Sequence, residues 1–316
     1  MKSGPSILPA LGVLICGALL SHGEGALNGR LRVEAGGAAS QPSVGSAGPA
    51  TPATSPALGV IIGSVPAGIG DRLKAARRLG NSLGCDEITA LYAFLKSPSG
   101  PRENNPDGLH ALKNEILNAL REQTVPPAGL TGMLAGIYHD PAQDSVTRDY
   151  AIQHLCAWYA QGAGDAPDAK QRIRTLLKEA TQEDASIAGT AMLGLHRLSS
   201  TDATFNQPEI NALAVRLACS ERTEPATRIA TFQVCGERSL CEALPAAESV
   251  AQASACLPLR VSAIAALGYL GGPEQARLLR RLEAGQEEPI SNAIRGALRR
   301  LERKQPSFPP KNPDYT

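Results

Sequence analysis

The sequence predicts an all-helical protein, an α-solenoid built from repeated pairs of helices, and three observations lead to this fold class. The segment LRVSAIAALGYL at 259–270 spaces its apolar and small residues as one face of a helix. Gly271, Gly272 and Pro273 end that helix, and a second helical pattern, PEQARLLRRL, follows at once. The same element recurs along the chain, whereas strand signals are almost absent.

The recurring element follows the pattern Arg-x-x-small-apolar-x-x-Leu. Its copies begin at Arg148, Arg228 and Arg260, and three further copies without the arginine begin at Lys113, Ala188 and Ile290. The starting positions lie 30 to 40 residues apart, which is the period of arrays of helical hairpins. The three arginines therefore set the repeat register, and about six stacked hairpins are predicted.

The stretch from Arg260 to Gly268 resembles the second helix of short HEAT repeats, Arg-x-x-Ala-(Ala/Ile)-x-Ala-Leu-Gly. The resemblance covers roughly Gly68 to Lys304. It implies stacked helical hairpins that present a curved surface, and it implies no reaction. Tetratricopeptide repeats are the nearest alternative, but their Trp/Gly/Tyr pattern is missing.

Residues 1–23 have the features of a signal peptide. Lys2 precedes the apolar run Ile7–Leu20, which is shorter than the ~20 residues that span a bilayer. Small residues precede a cleavage site after Gly23, while a retained anchor and lipidation at Cys16 remain alternatives. We expect an exported protein, periplasmic or extracellular, with no stable membrane span after cleavage.

The rest of the chain divides by composition. Residues 24–67 are rich in Gly, Ala, Ser and Pro and predict a disordered linker. Residues 68–304 carry the helical repeats. Residues 305–316, QPSFPPKNPDYT, predict a Pro-rich disordered tail because proline cannot continue a helix.

No catalytic, cofactor-binding or metal-binding constellation stands out, and no cofactor is expected. Nucleotide-binding, serine-hydrolase and zinc-protease motifs are all missing. The formal net charge of +1 does not favour nucleic acid as a partner, although the last two helices are rich in arginine. That basic end is interpreted as a solvated end-cap of the array.

The leading functional hypothesis is a non-enzymatic protein-binding or scaffold module of the cell envelope. It would act through the surface of the helical array on an unknown protein partner. The alternative is a metal-binding or enzymatic HEAT-like protein. That alternative would use the region of His139, Asp140 and His154, whose side chains are of the types that ligate zinc.

The cysteines are candidates for disulfides, because signal cleavage leaves an even number, six, in an exported chain. Cys235 and Cys241 flank a short turn between two helices and form one candidate pair. Cys219 and Cys256, expected at the ends of parallel helices in successive repeats, form the other. A bridge between Cys219 and Cys235 is disfavoured, because antiparallel helices would place these residues at opposite ends.

Overall fold

The computed structural model describes residues 56–97, 105–163, 167–183 and 185–304, and within these ranges every regular element is a helix. A short 3₁₀ helix spans Cys241–Ala243. The α-helices are α1 Pro56–Ile62, α2 Ile69–Ala76, α3 Cys85–Lys96, α4 Pro106–Arg121, α5 Leu130–His139, α6 Ser145–Ala160, α7 Pro167–Ala180, α8 Ser186–Ser199, α9 Gln207–Cys219, α10 Pro225–Glu237, α11 Leu244–Ala253, α12 Leu257–Leu270, α13 Pro273–Leu282 and α14 Glu288–Lys304.

The helices pair into hairpins that stack in two layers, as in a solenoid. Each odd-numbered helix packs against the even-numbered helix that follows it, from α1 with α2 to α13 with α14. The even-numbered helices also pack against one another in an unbroken series from α2 to α14. This layer is enclosed by helices on several sides, which explains why its sequences are rich in small and apolar residues.

The apolar positions of the repeat pattern lie in the core between the layers. Ala151, Ile152 and Leu155 on α6 are fully buried, as are Ile264 and Leu267 on α12. Small residues allow the layer to pack closely. A Cβ atom on Gly268 would lie 2.8 Å from the Cα of Ala297, so only glycine fits where α12 meets α14.

Where the first position of the repeat is arginine, that residue closes its hairpin. Its side chain reaches back to a main-chain oxygen near the C-terminal end of the preceding odd-numbered helix, where carbonyl groups lack intrahelical partners. These bonds run from Arg148 Nε to Tyr138 O (2.7 Å), from Arg228 Nε to Ala218 O (3.2 Å) and from Arg260 Nε to Ala251 O (2.7 Å).

Two earlier hairpins are closed in the same way. Lys113 Nζ donates to Ser97 O at 2.9 Å, and the guanidinium of Arg72 donates to Ile61 O from two nitrogens. Lys113 is almost fully buried, and burial lowers its pKa. A cationic side chain therefore closes five of the seven hairpins that the structure describes.

Helical order begins earlier than the sequence indicated. The segment Pro56–Ile62 lies inside the stretch expected to be a linker, yet it forms α1 and buries Leu58 and Ile61 against the first repeats. Its few apolar residues are enough because α2 and α3 supply the partner surface. The expected signal peptide (1–23), linker residues 24–55 and tail (305–316) lie outside the described residues.

The single tryptophan of the chain lies in the α5–α6 hairpin. Trp158 is buried on α6, and its indole N–H donates to Thr131 Oγ1 on α5 at 3.2 Å. Asp144 is the N-cap of α6, the second helix of this hairpin. Its carboxylate accepts a hydrogen bond from the main-chain N–H of Thr147 at 2.8 Å.

Candidate functional site

The histidine and aspartate residues proposed as an alternative metal site do not converge. His154 is buried, and both of its ring nitrogens are engaged: Nδ1 accepts from Arg121 Nε at 2.8 Å, and Nε2 lies 2.8 Å from Asn114 Oδ1. Burial, and secondarily the charge of Arg121, lower the pKa of His154 to about 3. This histidine is a neutral hydrogen-bonding residue of the core.

The other two members of that set have partners of their own. His139 is exposed and lies 2.9 Å from Glu179 Oε1 on α7, while Asp140 accepts the main-chain N–H of Ala142 at 2.9 Å. Across the described ranges, no three His, Cys, Asp or Glu side chains are arranged to hold a metal ion. His139 ends α5 and His154 lies within α6, and the two histidines bond to different residues.

A cavity of about 210 Å³ opens instead between α7 and the turn that leads into α9. Six of its seven lining residues are polar or charged, two of them cationic, and the seventh is aromatic. Arg174 and Lys178 lie one helical turn apart on α7, so both side chains point to the same face. The lining residues are Gln171, Arg174, Thr175, Lys178, Thr204, Phe205 and Asn206.

The guanidinium of Arg174 is held by neutral oxygen atoms. Its Nη1 donates to Tyr159 Oη at 2.8 Å and to Thr204 Oγ1 at 3.2 Å, and its Nη2 donates to Gln171 Oε1 at 2.6 Å. No carboxylate of the described residues forms an ion pair with it. Arg174 is therefore fixed in orientation while its positive charge is not cancelled by direct contact.

Asp202 orients the two hydroxyl groups, of Tyr159 and Thr204, that accept from Arg174. Its carboxylate accepts hydrogen bonds from the Tyr159 hydroxyl at 2.5 Å and from the hydroxyl and the main-chain N–H of Thr204. These hydrogen bonds, that of Tyr159 first, lower the pKa of Asp202 to about 2. The carboxylate thus stays ionised and keeps the Tyr159 hydroxyl directed towards itself.

Lys178 and the start of α9 complete the cavity. Lys178 Nζ lies 2.9 Å and 2.8 Å from the two carboxylate oxygens of Glu209. Asn206 caps α9 by accepting the N–H of Glu209 at 3.3 Å, and the positive end of the helix dipole faces the cavity wall. Sequence reasoning missed this site because its residues come from three helices and a turn.

The candidate disulfide cysteines are spread around the α9–α11 region. All six cysteines of the described ranges are free thiols; Cys235 is buried, whereas Cys219 and Cys241 are exposed. The Cys219 sulfur lies 3.8 Å from Glu242 O, in the 3₁₀ helix that precedes α11, while Cys256 lies just before α12. Bridges between Cys235 and Cys241 and between Cys219 and Cys256 stay predictions.

The basic end of the array is exposed. Arg277 and Arg280 approach Glu274 and Glu302 at 3.8 Å and 3.6 Å, distances of loose surface ion pairs that contribute little to stability. Within the residues that the structure describes, no helix is both long and apolar enough to cross a membrane.

Comparisons with known proteins give one point of reference. No protein-family model and no curated protein matches the chain. Among solved structures, the chain is similar to human deoxyhypusine hydroxylase in complex with glycerol, with 17% sequence identity and a TM-score of 0.31. The match covers 78% of this chain and 96% of that one.

This comparison contradicts the expectation of a non-enzymatic protein-binding or scaffold module, because the similar protein is named as an enzyme. A helical-repeat pattern could not distinguish the two, since binding and catalysis are both built on the same folds. The similarity is too weak to transfer a reaction or any site residue to this chain. Its function therefore has to rest on its own side chains.

Proposed function

We propose that this protein binds a small anionic molecule in the cavity between α7 and the turn preceding α9. The observation that carries the proposal is Arg174, a fixed guanidinium at a cavity with only neutral acceptors in direct contact. A planar guanidinium with N–H groups in a rigid fork matches the oxygens of a carboxylate or a phosphate group.

The electrostatics of the surroundings support an anion. Lys178 adds a second positive charge, and the N-terminus of α9 adds partial positive charge. Asp202 stays ionised, but its oxygens are occupied by Tyr159 and Thr204, so it orients the two hydroxyl groups that accept from Arg174. Glu209 would compete with the ligand for Lys178, which makes Arg174 the principal anchor.

The size of the cavity limits the ligand. A volume of about 210 Å³ lies below the ~300–1,000 Å³ of pockets that enclose drug-sized molecules. One anionic group with a short body therefore fits better than a nucleotide. Thr204 and Asn206 provide polar contacts beside the anchor, and Phe205 provides an apolar wall.

Calorimetric titration of the full chain with inorganic phosphate and, separately, with acetate tests the proposal at low ionic strength. We expect the wild type to bind at least one of these anions. The substitution Arg174→Gln should weaken that binding by about tenfold or more, because it removes a charged donor.

Arg172→Gln is the matched control, since Arg172 is exposed on the same helix and does not line the cavity. It removes the same charge and should leave the affinity unchanged. Equal losses in the two variants would show a non-specific charge effect, and a wild type that binds neither anion would overturn the proposal.

We also propose that the array is HEAT-like and that the protein is exported. The HEAT-like assignment is supported by the Arg260–Gly268 pattern and by the recurrent closure of hairpins by a cationic side chain. The export proposal is supported by the apolar run Ile7–Leu20 and the small residues behind it.

A further inference from the structure

The turn between α10 and α11 carries exposed Cys241 to α9, the helix that ends at exposed Cys219. Arg238, Ser239 and Leu240 form a Schellman motif: Leu240 N–H donates to Cys235 O at 2.9 Å, and Ser239 N–H donates to Gly236 O at 3.2 Å. Ser239 takes the left-handed conformation, with φ of 56°, that this motif requires. The chain therefore reverses sharply before Cys241.

The reversed chain lies against the end of α9. The 3₁₀ helix Cys241–Ala243 packs on α9, and the sulfur of Cys219, the last residue of α9, lies 3.8 Å from Glu242 O. Glu242 directly follows Cys241, and consecutive Cα atoms are ~3.8 Å apart. Cys219 and Cys241 thus belong to one small surface region although they are 22 residues apart.

We propose that Cys219 and Cys241, in place of the pairs Cys235–Cys241 and Cys219–Cys256 expected from the sequence, form an oxidative cross-link that ties the end of α9 to the segment leading into α11. Both thiols are exposed, so a small oxidant can reach them. The third cysteine nearby, Cys235, is buried, so an oxidant cannot reach its sulfur. Burial raises the pKa of Cys219 as well as that of Cys235, so it is exposure and not acidity that selects Cys219 and Cys241.

The oxidant is a small-molecule disulfide of the glutathione type, and the electrons balance in two exchanges. The thiolate of one cysteine attacks the disulfide, forms a mixed disulfide and releases one glutathione thiolate. The thiolate of the second cysteine then attacks the protein sulfur of that mixed disulfide and releases the second. Two protein thiols are oxidised, and one glutathione disulfide is reduced to two thiols.

Peptide mapping tests the cross-link on the native full chain after exposure to oxidised glutathione, alkylation and digestion without reductant. We expect a linked Cys219–Cys241 peptide, two hydrogen atoms lighter than the sum of its parts. The linked peptide should be lost in Cys219→Ser and in Cys241→Ser, and it should persist in Cys235→Ser. Circular dichroism of each variant checks that its helices are formed.

Exposed Cys85, at the start of α3, is an internal control for oxidant access and should carry only glutathione. The proposal is overturned if Cys219 and Cys241 each carry glutathione with no bridge between them. It is equally overturned if Cys241 is linked to Cys235 or Cys219 to Cys256, or if Cys235→Ser abolishes the bridge. None of these outcomes depends on anion binding at Arg174.

Discussion

Asp149 on α6 lies in an environment that disfavours its negative charge. Its Oδ1 is buried and has no hydrogen-bond partner among the described residues, while Gln153 Nε2 donates to Oδ2 at 2.7 Å. Burial raises the pKa of this carboxyl, and hydrogen bonds from Thr190 and Gln153 offset only part of the effect. The folded protein therefore binds this proton more tightly than the unfolded chain does.

The contribution of Asp149 to stability should consequently depend on pH. It is fully present below the pKa of an unfolded-chain aspartate, ~3.9, and is lost as the pH rises through the raised pKa of the folded state. We expect Asp149→Asn to stabilise the protein more at pH 7 than at pH 4, because the amide cannot ionise. Urea denaturation at the two pH values measures this.

Glu221→Gln serves as the control, because Glu221 is exposed in the loop between α9 and α10. It should leave the pH dependence of the wild type unchanged. An Asp149→Asn variant with the same pH dependence as the wild type would contradict the expectation.

At the scale of the helical hairpin, the hydrogen bond from an arginine to the preceding helix should contribute to stability. Arg260 donates from the beginning of α12 to Ala251 O at the end of α11. Arg260→Met keeps the aliphatic length but removes the donor, and we expect a loss of ~1–3 kcal/mol in the free energy of unfolding. Arg277→Met, on the exposed face of α13, should cost less than ~0.5 kcal/mol. Equal midpoints in urea would show that closure contributes nothing.

At the scale of helices, the sequence was a good guide where apolar spacing decides the structure. The spacing of Ile152 and Leu155, and of Ile264 and Leu267, predicted which residues are buried. It failed at α1, because a helix with only Leu58 and Ile61 as buried anchors resembles a Gly- and Ala-rich linker in composition. The packing surface for α1 comes from α2 and α3, later in the chain, so the local sequence pattern alone does not reveal the helix.

The candidate site was beyond sequence reasoning for a related reason. Tyr159, Arg174 and Asp202 belong to α6, α7 and the loop after α8, and stacking of hairpins brings them together. The pairing of Tyr159 with Asp202 spans 43 residues, and no local motif encodes it. The spacing of His139 and His154 in the sequence suggested a shared site, but in the structure the two histidines bond to different residues.

For the whole molecule, the export proposal has a direct test. If the segment ending at Gly23 is a cleaved signal, the mature chain should begin near Glu24. N-terminal sequencing of protein purified from the native host decides this. An intact Met1 on protein recovered from a soluble cytoplasmic fraction would contradict export.

The position of the single tryptophan has a practical consequence for spectroscopy of this protein. Trp158 reports only on the surroundings of α5 and α6, whereas far-ultraviolet circular dichroism averages over all helices. Stacked repeats contact mainly their neighbours and can open in parts. An emission shift of Trp158 in denaturant therefore measures the loosening of one hairpin pair, and its midpoint equals that of the ellipticity only if the array unfolds in one step.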